Sequence, residues 1–239
     1  MMKKVIFHDL GRISYSPAFE IQEKIFQYNI SVKTGKKSDS VIQNCFLICE
    51  HEHVITLGKS GDAGNLLFGR EHLKNQGVEF FHTTRGGDIT YHGPGQIVGY
   101  PIIDLEAFHL SVRQYAEALE EMIILTLDHY QLKGGRIKGM TGVWLDHDHP
   151  VKARKICAMG IKVSRYITMH GFAFNVNTDL NYFNLIIPCG ITGKSVTSLQ
   201  KELQREIDME EAKRYVKQSF EKVFGTMLVN DNPIKMINL

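Results

Sequence analysis

Cys189 is the side chain best placed for covalent chemistry. It lies in Pro188-Cys189-Gly190-Ile191-Thr192-Gly193-Lys194, between a proline and a glycine, and this composition predicts an accessible turn. A thiol acts as a nucleophile only when ionised, and a nearby cation can bring its pKa from about 8.5 into the range of roughly 3.5–7.5. That cation must come from elsewhere in the chain. Lys155 heads the run Lys155-Ile156-Cys157-Ala158-Met159-Gly160-Ile161, where a charged loop gives way to an apolar strand, so its ammonium can point into a pocket mouth. His82, His92 and His170 all lie near glycine turns and are the alternative partners. Cys45 and Cys49, by contrast, sit in an apolar run that reads as a buried strand.

The stretch Arg85-Gly86-Gly87-Asp88-Ile89-Thr90-Tyr91-His92-Gly93-Pro94-Gly95-Gln96 is the second chemical centre. Its glycines allow positive φ and close backbone approach to a ligand. Arg85, Asp88, Thr90, Tyr91 and His92 supply hydrogen-bonding groups between them. A polar segment of this kind between two apolar runs reads as a substrate-binding loop. It is neither a phosphate loop ending in Gly-Lys-Ser/Thr nor a dinucleotide fingerprint, so it does not predict nucleotide binding. Glu50-His51-Glu52-His53 and Asp146-His147-Asp148-His149 contain competent metal ligands. No third and fourth ligand follow at a recognisable spacing, so both read as solvated turns and no metal is expected.

These groups have to be positioned by a chain of 239 residues, long enough to bury a full core. An apolar share of 43% and a charged share of 23% are ordinary for a globular protein. The net charge of +2 does not argue for nucleic acid or an anionic membrane. The first residues turn polar too soon for a signal peptide, and no run approaches the ~20 apolar residues that span a bilayer. A cytoplasmic protein with reduced thiols is the expectation.

Ser16-Pro17 predicts a helix start, with Ala18, Ile21, Ile25 and Tyr28 on its buried face. Asn44 to Cys49 and Val54 to Leu57 read as strands. Ser111 with Gln114 forms a capping box for a helix whose apolar stripe includes Tyr115, Ala116, Leu119, Met122 and Ile123, ended by Gly134-Gly135. That stripe reads as core. Short β runs return between 141 and 176, and a last helix fits 209–224, from Asp208 with Glu211 to a stop at Gly225. Strands interrupted by a few helices predict an α+β fold with a mixed or antiparallel sheet, and residues 1–239 read as a single catalytic domain.

Four blocks in order carry a resemblance: Arg85 to Gln96, Lys155 to Gly160, His170-Gly-Phe-Ala-Phe-Asn-Val-Asn177, and Pro188 to Ile191 with Val196-Thr-Ser-Leu199. Together they resemble the lipoyl(octanoyl) transferases of lipoate biosynthesis, over about Leu57 to Leu199. The resemblance implies the biotin/lipoate protein ligase fold and a transfer of octanoyl from octanoyl-acyl carrier protein to a lysine of lipoyl domains. The implied acceptors are the lipoyl domains of 2-oxoacid dehydrogenase complexes and the glycine cleavage H protein. Cys189 matches the acyl-thioester nucleophile, and Lys155 the lysine that lowers its pKa. Arg85, Gly86, Gly87, Asp88, Ile89, Thr90, Tyr91 and His92 match the substrate-binding loop. Ala158, Met159 and Gly160, with Gly171, Phe172 and Ala173, match two further binding segments. Asp88 and Met159 occupy positions where the family varies, which bears on chain-length preference. No cofactor is implied, because passing an acyl group from a thioester to an amine is downhill without ATP. A lipoate or biotin protein ligase on the same fold would need ATP and no cysteine, and a non-catalytic acyl-binding module would show no turnover.

Overall fold

The computed structural model describes residues 2–37, 40–187 and 194–236. The segment Pro188–Gly193, with Cys189, lies outside the described residues. Strand β1 (Lys3–Ile13) runs directly into helix α1 (Tyr15–Lys33), followed by β2 (Cys45–His51), β3 (Val54–Leu57), α2 (Arg70–Asn75), β4 (Glu79–His82), β5 (Ile89–His92) and β6 (Gln96–Ile102). Next come α3 (Val112–Asp128), β7 (Gly134–Ile137), β8 (Met140–Leu145), β9 (Arg154–Ser164) and β10 (Ile167–Asn175). A 3₁₀ turn over Leu180–Leu185, β11 (Ser195–Val196), α4 (Leu199–Leu203), α5 (Met209–Phe224), β12 (Thr226–Asn230) and α6 (Pro233–Met236) complete the order.

The main sheet runs β12-β1-β2-β6-β10-β9-β8-β7, with β11 beside β9, and it is mixed. Cys45 to Cys49 is continuously buried because both faces of this sheet are covered. Phe46 and Ile48 pack with Phe172, Leu119 and Phe220 under α3 and α5. Cys45, Leu47 and Cys49 pack with Val98, Tyr100, Ile25 and Phe26 against α1. The α+β reading with a mixed sheet and flanking helices is therefore the observed architecture. A second sheet, β4-β3-β5, has its own core of Ile55, Leu57, Tyr91, Phe183 and Leu185. Strands β2 and β3, neighbours in sequence, thus belong to different sheets. Among the described residues no helix is long and apolar enough to cross a membrane.

The local signals at the helix ends hold in two places and shift in two. Ser111 and Gln114 form the capping box of α3. Asp208 caps α5, though by accepting from the Glu210 N–H and not through the expected pair with Glu211, which faces Arg214 at 3.8 Å, and Gly225 stops the helix at φ 58°. Helix α1 instead begins at Tyr15, with Ser14 as a cap whose hydroxyl makes no capping bond. Pro17 still falls in the first turn, where a missing N–H costs nothing. Helix α3 ends at Asp128, and Gly134-Gly135 opens β7. Glycine at 134 leaves room for its neighbours: a Cβ there would stand 2.6 Å from Leu127 Cδ1, so that methyl would have to move. Within the Glu50–His53 cluster, Glu52 and His53 form the bend between β2 and β3, but His51 departs from the expectation of a solvated turn. His51 is fully buried in β2, its Nδ1 donating to the Ile13 carbonyl and its Nε2 accepting from the Tyr100 hydroxyl at 2.6 Å.

Candidate active site

Strands β9 and β10 pair antiparallel with Gly171 opposite Gly160, Phe172 opposite Met159 and Ala173 opposite Ala158. The two short segments named from the resemblance are therefore cross-strand partners. Gly160, Gly171, Ala158 and Ala173 are the smallest side chains available, and clustering them keeps one patch of the sheet low. Larger groups do not fit at two of these positions. A Cβ on Gly171 would stand 2.2 Å from the Gly99 carbonyl oxygen, and one on Gly160 would stand 2.8 Å from the Gly86 carbonyl oxygen. Over this patch lies a cavity of about 670 Å³, a size that suits a small ligand.

Residues 85–92 border the cavity from the second sheet, tied down where the Gly86 N–H donates to the Ile161 carbonyl at 2.9 Å. The predicted loop is half strand: Ile89 to His92 form β5, paired antiparallel with β3. That pairing explains a departure from expectation. Arg85, Gly86, Gly87, Asp88, Ile89, Thr90 and His92 all line the cavity, while Tyr91 does not. Successive side chains on a strand face opposite ways. Tyr91 turns into the core of the small sheet, where its hydroxyl meets His53 Nδ1 at 2.7 Å and its ring stacks on Tyr182. Asp88 accepts from the Asp62 N–H and from Asn65 Nδ2, so its carboxylate holds the Gly61–Asn65 turn against the cavity.

Inside, Arg85 Nη2 donates to the Thr56 carbonyl and hydroxyl at 2.8 and 2.9 Å. Gln96 Nε2 donates to Asn175 Oδ1 and the Tyr91 carbonyl, which leaves its Oε1 to accept from His92 Nδ1 at 2.8 Å. His92 Nε2 is then an acceptor facing the Thr56 hydroxyl. Burial, reinforced by the neighbouring His51 and Arg85, pushes His92 down to about 3. His170, which holds φ 61° in β10, is likewise pushed down to about 3, by burial first and then by Arg85. Both rings are neutral near pH 7. Neither can supply the positive charge that a thiolate needs.

Lys155 borders the cavity at its other end, together with Met140, Thr141, Ala116 and Leu119. Ala116 and Leu119 read from sequence as plain core, and no local signal distinguishes a core position from a cavity wall. Val98 and Tyr100 carry no local signal of a site either, although their alternation along β6 places both on the face of Ala173. Val196 of β11 lies opposite Lys155, and the Thr197 N–H donates to the Lys155 carbonyl at 2.9 Å. Cys45, Cys49 and Cys157 are buried, and burial pushes each thiol up, Cys45 to about 12.

The sequence model of the lipoyl protein ligase A/B catalytic domain matches residues 18–221. An octanoyltransferase of Parabacteroides distasonis is 54% identical over 225 residues, which cover 94% of this chain and 100% of that protein. An octanoyltransferase of Christiangramia forsetii is 51% identical over 232 residues, 95% of this chain and 99% of that one. A structure from the lipoylation system of Thermoplasma acidophilum, described as a bipartite lipoate protein ligase and its E2 lipoyl domain, aligns with a TM-score of 0.68. That alignment covers 97% of this chain and 87% of the other at 13% identity, a likeness of fold that agrees with the ligase-type architecture expected from the sequence. With curated relatives this similar along nearly all of its length, the chain belongs to the octanoyltransferases, acyltransferases of the lipoyl protein ligase A/B family.

Proposed function

We propose that this chain takes octanoyl from octanoyl-acyl carrier protein onto Cys189 and passes it to a lysine of a lipoyl domain, with Lys155 as the partner of the thiol. The observation that carries this reading is the placement of Lys155. It borders an apolar-walled cavity and lies in register with Val196, seven residues beyond Cys189. The described residues on the two sides of the Cys189 segment are each anchored. Ile187 donates its N–H to the Asn65 carbonyl at 2.8 Å, beside Asp88, and Lys194 stands near Trp144. The remaining cysteines are buried thiols with raised pKa values, so they are poor nucleophiles.

In the first half-reaction the Cys189 thiolate attacks the donor's thioester carbonyl, and the carrier's sulfur leaves as a thiol with the proton of the Lys155 ammonium, so Lys155 is neutral once the acyl group is on Cys189. One thioester replaces another, so the step is nearly balanced in energy. In the second, the acceptor amine attacks the acyl-Cys189 carbonyl and loses a proton to Lys155, and the Cys189 thiolate departs as the amide forms. Both tetrahedral intermediates need hydrogen-bond donors at the developing oxyanion, for which the backbone N–H groups of the glycine segments are candidates.

Mixing the protein with octanoyl-acyl carrier protein and measuring intact mass tests this reading. A covalent octanoyl adduct is expected on the peptide containing Cys189. Cys189→Ala should show neither adduct nor turnover, while Cys45→Ala, Cys49→Ala and Cys157→Ala keep the adduct. An adduct on another cysteine, or adduct-free turnover that requires ATP, overturns it. A second expectation concerns the roof. Gly87 holds φ +86°, and a Cβ there would meet nothing closer than Arg85 Nη1 at 3.5 Å. Gly87→Val should therefore cost about 1–2 kcal/mol from left-handed backbone alone. Because the side chain enters the cavity, it should also raise KM for the acyl donor. Unchanged kinetics at a lowered Tm would show that residues 85–92 are a connection and nothing more.

A further inference from the structure

Trp144 is the only tryptophan in the chain, and it is 1% exposed. It sits in β8 directly opposite Lys155 of β9, immediately after a shift in the strand register. Cross-strand partners share a sheet face. The Lys155 Nζ accordingly stands 4.7 Å from the centre of the Trp144 ring. The ring is fixed in its own right, since its Nε1 donates to the Met140 carbonyl at 3.1 Å. The strand carrying it is fixed as well. Glu120 of α3 accepts the Gly142 N–H at 2.9 Å and pairs with Arg136, holding the β7–β8 hairpin to the helix. Gly142 takes φ +122°, and a Cβ there would stand 2.5 Å from the Cys157 carbonyl oxygen, so the close approach of β8 to β9 depends on glycine.

An ammonium over an indole face is attracted by the ring's quadrupole, more strongly where water is excluded. We propose that Trp144 is a positioning residue whose indole face holds the Lys155 ammonium at the cavity, charged and correctly aimed. This deepens the Cys189–Lys155 reading above and rests on it. The ring also faces a second cation, with Lys194 Nζ 6.0 Å from its centre while donating to the Pro150 carbonyl. The other charged groups around this pair are already engaged. Arg154, next to Lys155, pairs with Asp146 and Glu202, and Glu120 with Arg136 and Gly142. The ring thus stabilises protonated Lys155, the form expected beside a thiolate.

Removing the ring face should be felt in ionisation more than in binding. Trp144→Leu is expected to lower kcat about tenfold with a smaller change in KM, and to move the pH midpoint for Cys189 alkylation upward by about one unit. Trp144→Phe, which keeps a π face, should restore most of both. A ring needed only for packing would give Phe and Leu variants with the wild-type alkylation curve. If Lys155→Met itself leaves that curve unchanged, the underlying dyad is at fault; if Lys155→Met shifts it and Trp144→Leu does not, the role of the ring is wrong. A measurement on the native side chain guards against misfolded variants. Trp144 emission, the protein's sole tryptophan signal, should change with pH as the Lys155 ammonium loses its proton. Lys155→Met should remove most of that titration, and an identical emission profile in Lys155→Met overturns the proposal.

Discussion

Replacing Lys155 with alanine should slow each half-reaction by about 10²–10⁴-fold, the usual worth of a positioned acid–base group. It should also raise the pH midpoint for Cys189 alkylation by roughly one to a few units. The two effects have one cause. A cation beside the thiol favours the thiolate, and each pKa unit corresponds to about 1.4 kcal/mol between the two protonation states. On the proposed reading, acylation of Cys189 removes the lysine's anionic partner, which should lower its pKa and fit it to take the proton of the attacking amine. A pair acting as a unit predicts that Lys155→Ala combined with Cys189→Ala is no worse than Cys189→Ala alone. Stopped-flow acylation and single-turnover transfer to a lipoyl domain measure the two steps separately. Lys152, exposed, and Lys162, which pairs with Glu23 at 3.8 Å, are the inert controls. Lys194 stands near the same indole as Lys155 and is not one. An alkylation curve indifferent to Lys155 would leave His92 as the next base to test. Its Nε2 is an acceptor, but burial holds the ring at about 3, so His92 would be a weak base as well as an uncharged one.

The second large effect is loss of stability in mild acid. Burial holds His51 at about 4, and His92 and His170 at about 3, against about 6.5 in the unfolded chain. The sign follows from which state binds the proton. Above about pH 6.5 neither state is protonated, and these residues leave stability unchanged. As pH falls below that point the unfolded chain takes up protons that the folded protein refuses, so stability drops until the folded pKa values are reached. Each ring contributes about 1.4 kcal/mol per pH unit, and the three together up to about 4 kcal/mol per unit. A domain stable by about 5–10 kcal/mol would then unfold between about pH 5 and 4. Urea midpoints at pH 7.5, 6.0 and 5.0 measure the slope. His170→Asn should remove about a third of it, since asparagine tolerates the positive φ at that position. A midpoint independent of pH across this range would show that the three rings titrate freely in the folded state.

What the sequence determined by itself is what a few neighbouring residues decide. The capping box at Ser111 and Gln114, the Asp208 cap and the left-handed Gly225 all act within one turn of helix, and each is where local chemistry puts it. The apolar run from Cys45 to Cys49 already carries the information that both faces of its sheet are covered. The order of the four sequence blocks pointed to the family, and close relatives along nearly the whole chain bear that out. Tertiary structure decided everything that depends on register. No local pattern could say that Gly160 faces Gly171, that Thr90 turns to the cavity while Tyr91 turns away, or that Ala116 and Leu119 are wall as well as core. His51 looked like part of a solvated turn because nothing nearby shows that Tyr100, 49 residues later, brings it a buried hydroxyl. The same holds for Trp144 and Lys155: one reads as an apolar strand residue and the other as a lysine at a loop edge. Only the pairing of β8 with β9 sets the cation over the ring, because a shift of one residue in that register would send the two side chains to opposite faces.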